Sequence, residues 1–220
     1  WFGTDTLGRD IFSRVVFGAR PTLSIVGLVL LMTVPFGMIM GAAAGLWGGW
    51  IDSVLMRLAD VFMAFPRLIL AIAVAAALTT GMWTAVIAIA LTGWRAYARI
   101  ARAEMAAIRN AEFIQAAQIM GVSRLRLLMR HALPLCLPSA VVRAALDAPG
   151  IVLITAGLGF LGVGLPAPAP EWGAMVADGR AIVFEAWWVS TIPGLLILAL
   201  SLAFNLLGDA LRDVVDPGVK

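Results

Sequence analysis

Four charged residues stand in apolar surroundings and are the first places to look for chemistry. Arg57 and Asp60 lie one turn apart, with Arg67 just past Pro66, and Arg143 and Asp147 lie four residues apart. At these spacings each acid can meet a base on one helix face. A neutralised pair lets helices pack without stranding a charge. A set left open can line a pathway or relay ions, because ionisable residues in membrane segments turn towards a bundle interior or a watery cavity. Both uses stay open for these four residues. The single His131 ends a short helix, where its charge suits the dipole or its ring fills a bend, and a metal centre needs several ligands. The single Cys136 reads as a small apolar filler and leaves no internal disulfide.

Other chemistries are excluded by what the chain lacks. A phosphate-binding loop needs Gly-Lys-Ser/Thr, because the lysine reaches the terminal phosphates and the hydroxyl holds magnesium. The sole lysine is the last residue, Lys220. Neither a HExxH zinc motif nor a G-x-S-x-G elbow occurs. An arginine stripe runs through the middle of the chain, but arginines beside apolar segments are better explained by membrane topology than by contact with nucleic acid.

The elements that must position these residues are membrane helices. Of 220 residues, 62% are hydrophobic and only 13% charged, and the mean hydropathy is +0.98. This composition points to an all-α, polytopic bundle of about five spans. Residues 1–20 are amphipathic and read as a short surface helix ahead of the first span. That span covers about residues 23–46, with small residues from Gly37 to Gly45 that let a neighbouring helix come close. The second, about 54–78, is interrupted by Pro66. The third starts near Trp83 and runs past Leu91 into a solvated extension bearing Arg95, Arg99 and Arg102. The fourth, 133–164, should kink or break at Pro149-Gly150. Prolines 166, 168 and 170 make a stiff extended loop, and 174–184 form a short helix that turns Met175, Gly179 and Ile182 inward. The last span covers about 187–207.

Arg95, Arg99, Arg102, Arg109, Arg124, Arg126 and Arg130 face only Glu104 and Glu112, so the positive-inside rule puts the central loop in the cytoplasm. The N-terminal segment is then extracytoplasmic and the C-terminus cytoplasmic. Arg9, Arg14 and Arg20 lie against the rule, but the central imbalance is larger.

Within that loop, residues 110–134 read NAEFIQAAQIMGVSRLRLLMRHALP. Two short helices are expected, the first capped by Asn110 with Glu112 in its first turn, the second capped by Ser123 and stopped or bent by Pro134. Gly121 supplies the left-handed residue between them. Phe113, Ala116, Ala117 and Met120 follow i, i+3, i+4, i+7 spacing and share a face. That face needs cover, from the protein itself or from a partner's groove.

The same residues carry a resemblance. Gln115-Ala116-Ala117, three residues, Gly121, nine residues, then His131 and Leu133-Pro134 is similar to the EAA loop of ABC-importer permeases, although Gln115 replaces the usual glutamate and His131 the usual isoleucine. TDxxGRDxxSRxxxGAR near the start, the FLGxG…P…WG block and NLLGDxLRDxxDP near the end resemble the dipeptide/oligopeptide/nickel branch, so the likeness covers most of the chain. It implies a type I importer permease fold over residues 1–220 as a single transmembrane domain in a bacterial inner membrane. The loop would be a coupling helix, with Gln115, Ala116, Ala117, Met120 and Gly121 docking into an ATPase. The implied partners are a second permease subunit, two ATP-binding cassette ATPases, an extracytoplasmic solute-binding protein and membrane lipid. ATP and magnesium would sit on the ATPase, with no cofactor on this chain. That branch usually carries one more membrane helix upstream, and a start at Trp1 rather than Met suits a fragment or processed form. The competing reading is an ion- or proton-coupled carrier that works alone through Arg57, Asp60, Arg143 and Asp147. It leaves the EAA spacing unexplained.

Overall fold

The computed structural model describes residues 2–215. The expected surface helix and first span are one continuous rod, α1 (Ile11–Trp47), capped by Asp10 accepting from the Ser13 amide and running through Pro21 and Pro35. Ile11, Val15 and Gly18 on its first turns are buried. Burial along the whole length holds the rod together where each proline withholds a hydrogen bond.

Pro66 does break the second apolar segment. α2 (Gly49–Met63) and α3 (Arg67–Ala76) are bent by 90° at the gap between them. α4 (Met82–Ile108) lies along α1 in the same direction. Their seam explains the glycines: a Cβ on Gly41 would overlap the Ala98 carbonyl oxygen, and one on Gly45 would come within 2.7 Å of the Arg102 carbonyl oxygen. Close backbone approach of this kind is how small residues join membrane helices.

α5 (Glu112–Ile119) and α6 (Arg124–Leu127) follow. A π-helical turn, Leu128–Ala132, leads into α7 (Leu133–Phe160). Pro134 therefore does not stop the helix. It falls in the first turn of α7, where a missing N–H costs little. α7 is also unbroken at Pro149, because Ala148, Pro149, Ile151 and Val152 are buried in the main core with Ile25, Val29 and Ile89. Past the proline loop come α8 (Trp172–Gly179), a 3-10 turn and α9 (Trp188–Val215). Met175 and Gly179 are buried as expected, and Ile182 packs beside them. Of the C-terminal motif, Asp216 and Pro217 lie outside the described residues.

Among the described residues three helices are long and apolar enough to cross a membrane, Ile11–Trp47, Arg124–Phe160 and Trp188–Val214, and the bent pair makes a fourth. The third expected span, α4, falls short on apolarity because arginines occupy its second half. The bundle thus has an α5 end, where α1 and α4 finish, and an α8 end, where α1 begins and α7 finishes.

Candidate functional site

At the α5 end, α5 is a small plate set on the tip of α1. Ile114, Ala117 and Leu127 pack together against Leu46, Ala111 and Val122. Glu112 stands in the first turn, and the side chain of Gln115 donates to the Asn110 carbonyl at 2.9 Å. Gly121 has φ +79°, and the Val122 amide closes the turn on the Ala117 carbonyl at 3.0 Å. Ser123 caps α6 by accepting from the Arg126 amide.

The stripe expected to form one face is split. Ala117 is buried inward with Ile114, while Phe113, Ala116 and Met120 face out. A set spaced i, i+3, i+4, i+7 spans a wide arc, and a small rotation hides one flank of it. The outward face therefore holds Phe113, Gln115, Ala116, Ile119 and Met120, with Ile119 87% and Met120 76% exposed. Leu125 and Met129 continue this apolar surface, edged by Arg124, Arg126 and Arg130. His131 is exposed in the π-helical turn.

Behind the plate, the arginine stripe of α4 stays open to solvent, with Arg99 exposed and Arg95 and Arg102 half-buried. It is laced to α2. Arg95 donates to the Phe62 carbonyl at 2.8 Å, Arg99 pairs with Asp60 at 2.5 Å, and Arg102 grips Asp52 through two bonds of 2.5 and 2.6 Å. The local pair expected between Arg57 and Asp60 therefore does not form, and Arg57 is exposed on α2. α2 turns both its acids towards α4, where three guanidinium groups already wait.

The second expected pair is also replaced. Asp147 receives a two-pronged bond from Arg67, 2.7 Å to Oδ1 and 3.2 Å to Oδ2, and the Tyr97 hydroxyl donates to Oδ2 at 3.4 Å. Arg67 arrives from another helix and meets both carboxylate oxygens with its planar fork. The proposed relay thus falls into two unconnected contacts. Sequence reasoning missed Asp52, Tyr97 and the role of Arg67. The available signals were Pro66 before Arg67 and the glycines Gly93 and Gly150, which flank its guanidinium.

Residues 33–220 match the family described as binding-protein-dependent transport system inner membrane component. The chain belongs to that family. It is 41% identical to the dipeptide transport system permease protein DppC of Alkalihalophilus pseudofirmus, over all of this chain and 72% of that one. It is 42% identical to the nickel transport system permease protein NikC of Escherichia coli K12, over 99% of this chain and 78% of that one. It is 41% identical to the probable D,D-dipeptide permease DdpC of Escherichia coli K12, over 99% and 73%. A solved structure of the MetNI methionine ABC transporter in an inward-facing conformation shares the fold, with a TM-score of 0.73 at 19% identity over 93% of this chain and 97% of that one. The protein is a multi-pass permease subunit of an ABC importer, not itself an enzyme.

At the α8 end of this permease, Arg9 and Arg14 are answered by acids. Asp5, whose side chain is 4% exposed, accepts from the Leu7 and Arg9 amides at 2.9 Å, from Arg9 Nε at 2.6 Å and from Arg14 at 3.1 Å. Burial pushes its carboxyl up, but the bonds from Arg9 and Leu7 outweigh it and hold the group below the usual carboxylate range. Asp178 on α8 stands 3.8 Å from Arg9. Glu171 is buried and caps α8, accepting from the Gly173 and Ala174 amides at 2.9 and 3.1 Å. Burial pushes its carboxyl up against the pull of those two amides. The carboxylate fills the space where a Cβ on Gly159 would go. Next to it, Trp172 donates to the Val15 carbonyl at 2.9 Å and lies over Gly18, fastening α8 to α1.

Proposed function

We propose that α5 is the coupling helix of this permease, and that Phe113, Gln115, Ala116, Ile119, Met120 and Gly121 form the face that enters a groove on a cytoplasmic ATPase. The observation that carries the reading is an apolar face presented outward on a plate whose other face is packed on α1. Ala117 then serves from behind, seating the plate. Motion at α5 passes through Leu46 to α1, through the glycine seam to α4, and through the three arginines to α2.

The α5 end is cytoplasmic on this reading. Arg57, Arg109, Arg124, Arg126 and Arg130 form no ion pair among the described residues, whereas Arg9 and Arg14 at the other end are answered by Asp5. Counting only arginines without an ion pair leaves Arg20 and Arg180 at the α8 end against five at the α5 end, so the positive-inside rule favours a cytoplasmic α5 end. A second permease subunit completes the pathway, two ATPases bind ATP and magnesium, and a solute-binding protein delivers cargo at the α8 end. The cargo is a small peptide or a solute of similar size, as the names of the relatives suggest.

The test is Ala116→Trp beside Ala117→Trp in the complex purified with its co-expressed partners. Ala116→Trp should leave the permease folded and in the membrane but without its ATPase. Ala117→Trp should loosen the loop and lower stability as well. Normal ATP-driven uptake by Ala116→Trp would remove the assignment of this face.

A further inference from the structure

Asp147 is paired with one arginine, and a second lies four residues before it in the same helix. Arg67 holds both its oxygens, through a slot walled by Gly93 and Gly150, where an added Cβ would come within 3.1 Å of Nη2 and 3.7 Å of Nη1. Arg143 stands one turn before Asp147 on α7. Its Nε is buried and has no hydrogen-bond partner, and the residue forms no ion pair among the described residues. It lies about 15 Å along α7 from Leu133, at 1.5 Å per residue, well inside the apolar length of the helix. A cation without a counter-ion at that depth is costly, and in membrane helices such residues mark function.

The two cations are fixed to different things. Arg143 shares a helical turn with Asp147, so it stays within reach whatever α7 does as a body. Arg67 opens α3, just past the gap where the chain turns by 90°. α2, before that gap, is laced to α4. The Arg67–Asp147 pair therefore crosses a joint, and an Arg143–Asp147 pair would not. Two residues on, Pro149 has no N–H for the Ala145 carbonyl, which lets α7 give at this level.

We propose that Asp147 is a hand-over carboxylate. Arg67 holds it in the arrangement described, and Arg143 takes it when α3 draws away from α7. The acid then has a cation in both shapes of the bundle, and Arg67 acts as a latch on one of them. The proposal rests on the importer reading, in which the bundle alternates between shapes. Arg67 and Arg143 are positioning residues and neither need touch the cargo.

The experiment uses the whole importer, purified with its own ATPases and partner permease, with ATP hydrolysis read with and without the solute-binding protein. Arg67→Gln and Arg143→Gln should each assemble to within about twofold of the parent, because one cation remains, whereas the double variant should lose about tenfold, because a buried carboxylate is left alone. Adding Asp147→Asn to the double variant should restore assembly. Arg67→Gln should also raise hydrolysis in the absence of binding protein about threefold, whereas Arg143→Gln should lower only the stimulated rate, a split that plain packing would not produce. Additive losses, failed rescue by Asp147→Asn, or failure of Arg67→Gln to assemble by itself would each overturn the hand-over. A parent complex with no binding-protein stimulation would count against the importer reading instead, and the assembly arms would still decide the hand-over.

Discussion

The two ends of this permease use the same residue in opposite ways. At the α8 end Arg9 and Arg14 close on Asp5, and Arg180 lies over the Phe160 ring. At the α5 end Arg124, Arg126 and Arg130 stand exposed beside apolar side chains and form no ion pair among the described residues. An arginine with a buried acid is part of the framework. An arginine left open at the rim of an apolar face is available to something outside the chain. Where the acids lie, rather than how many arginines there are, separates the two.

The largest blow to this contrast is to cut the seam that joins the ends. Gly41→Ala pushes a methyl group into the Ala98 carbonyl, and should destabilise the subunit by about 3 kcal/mol, the upper range for overpacking. A thermal midpoint equal to the parent's would show that the seam is soft. Next, Asp5→Ala leaves Arg14 without its acid and two loop amides without their acceptor, while Arg9 keeps Asp178, and should cost about 2 kcal/mol, read as a lower midpoint of the purified complex. Glu171 sharpens the picture of the α8 end through pH. The folded protein holds its proton more tightly than the unfolded chain does, so its contribution is complete below the ordinary carboxylate range and is lost as pH rises through the elevated value. Glu171→Gln should remove that part of the decline above the ordinary carboxylate range, and an identical pH profile would contradict the buried acid. The smallest change is expected at the α5 end. Replacing Arg124, Arg126 and Arg130 together by Gln should move stability by no more than about 0.5 kcal/mol while weakening ATPase binding at raised salt. A loss matching that of Asp5→Ala would erase the difference between the ends.

Much of the scaffold is legible in the sequence, and the reasons are local. Apolar length marks the long helices, the glycines from 37 to 45 mark the close seam, Gly121 and Ser123 mark the turn between α5 and α6, and Pro66 marks a true break. Pro149 looks the same as Pro66 in sequence yet leaves α7 whole, because a core on several sides compensates for one absent hydrogen bond. The charges are where local rules fail. Spacing favours Arg57 with Asp60 and Arg143 with Asp147, but the structure pairs Asp60 with Arg99 and Asp147 with Arg67, 80 residues away. No pattern along one helix reveals which distant helix will arrive with a better-shaped donor. The spacing on α5 groups Ala117 with the outward face for a related reason: contacts from outside the helix, with Leu127 and Val122 and with Leu46 of α1, decide which flank is hidden.

α1 runs 37 residues without interruption, a rod of about 55 Å, well beyond the thickness of a bilayer's oily interior. Trp172 clasps it near one tip and the Ile114–Ala117 surface rests on the other. Such a beam cannot be moved at one tip alone. For each degree it tilts about one tip, the other swings by about 1 Å, a figure set by that 1.5 Å rise per residue. The permease thus carries its own see-saw, and the stroke at the far side is fixed by length before any chemistry is chosen.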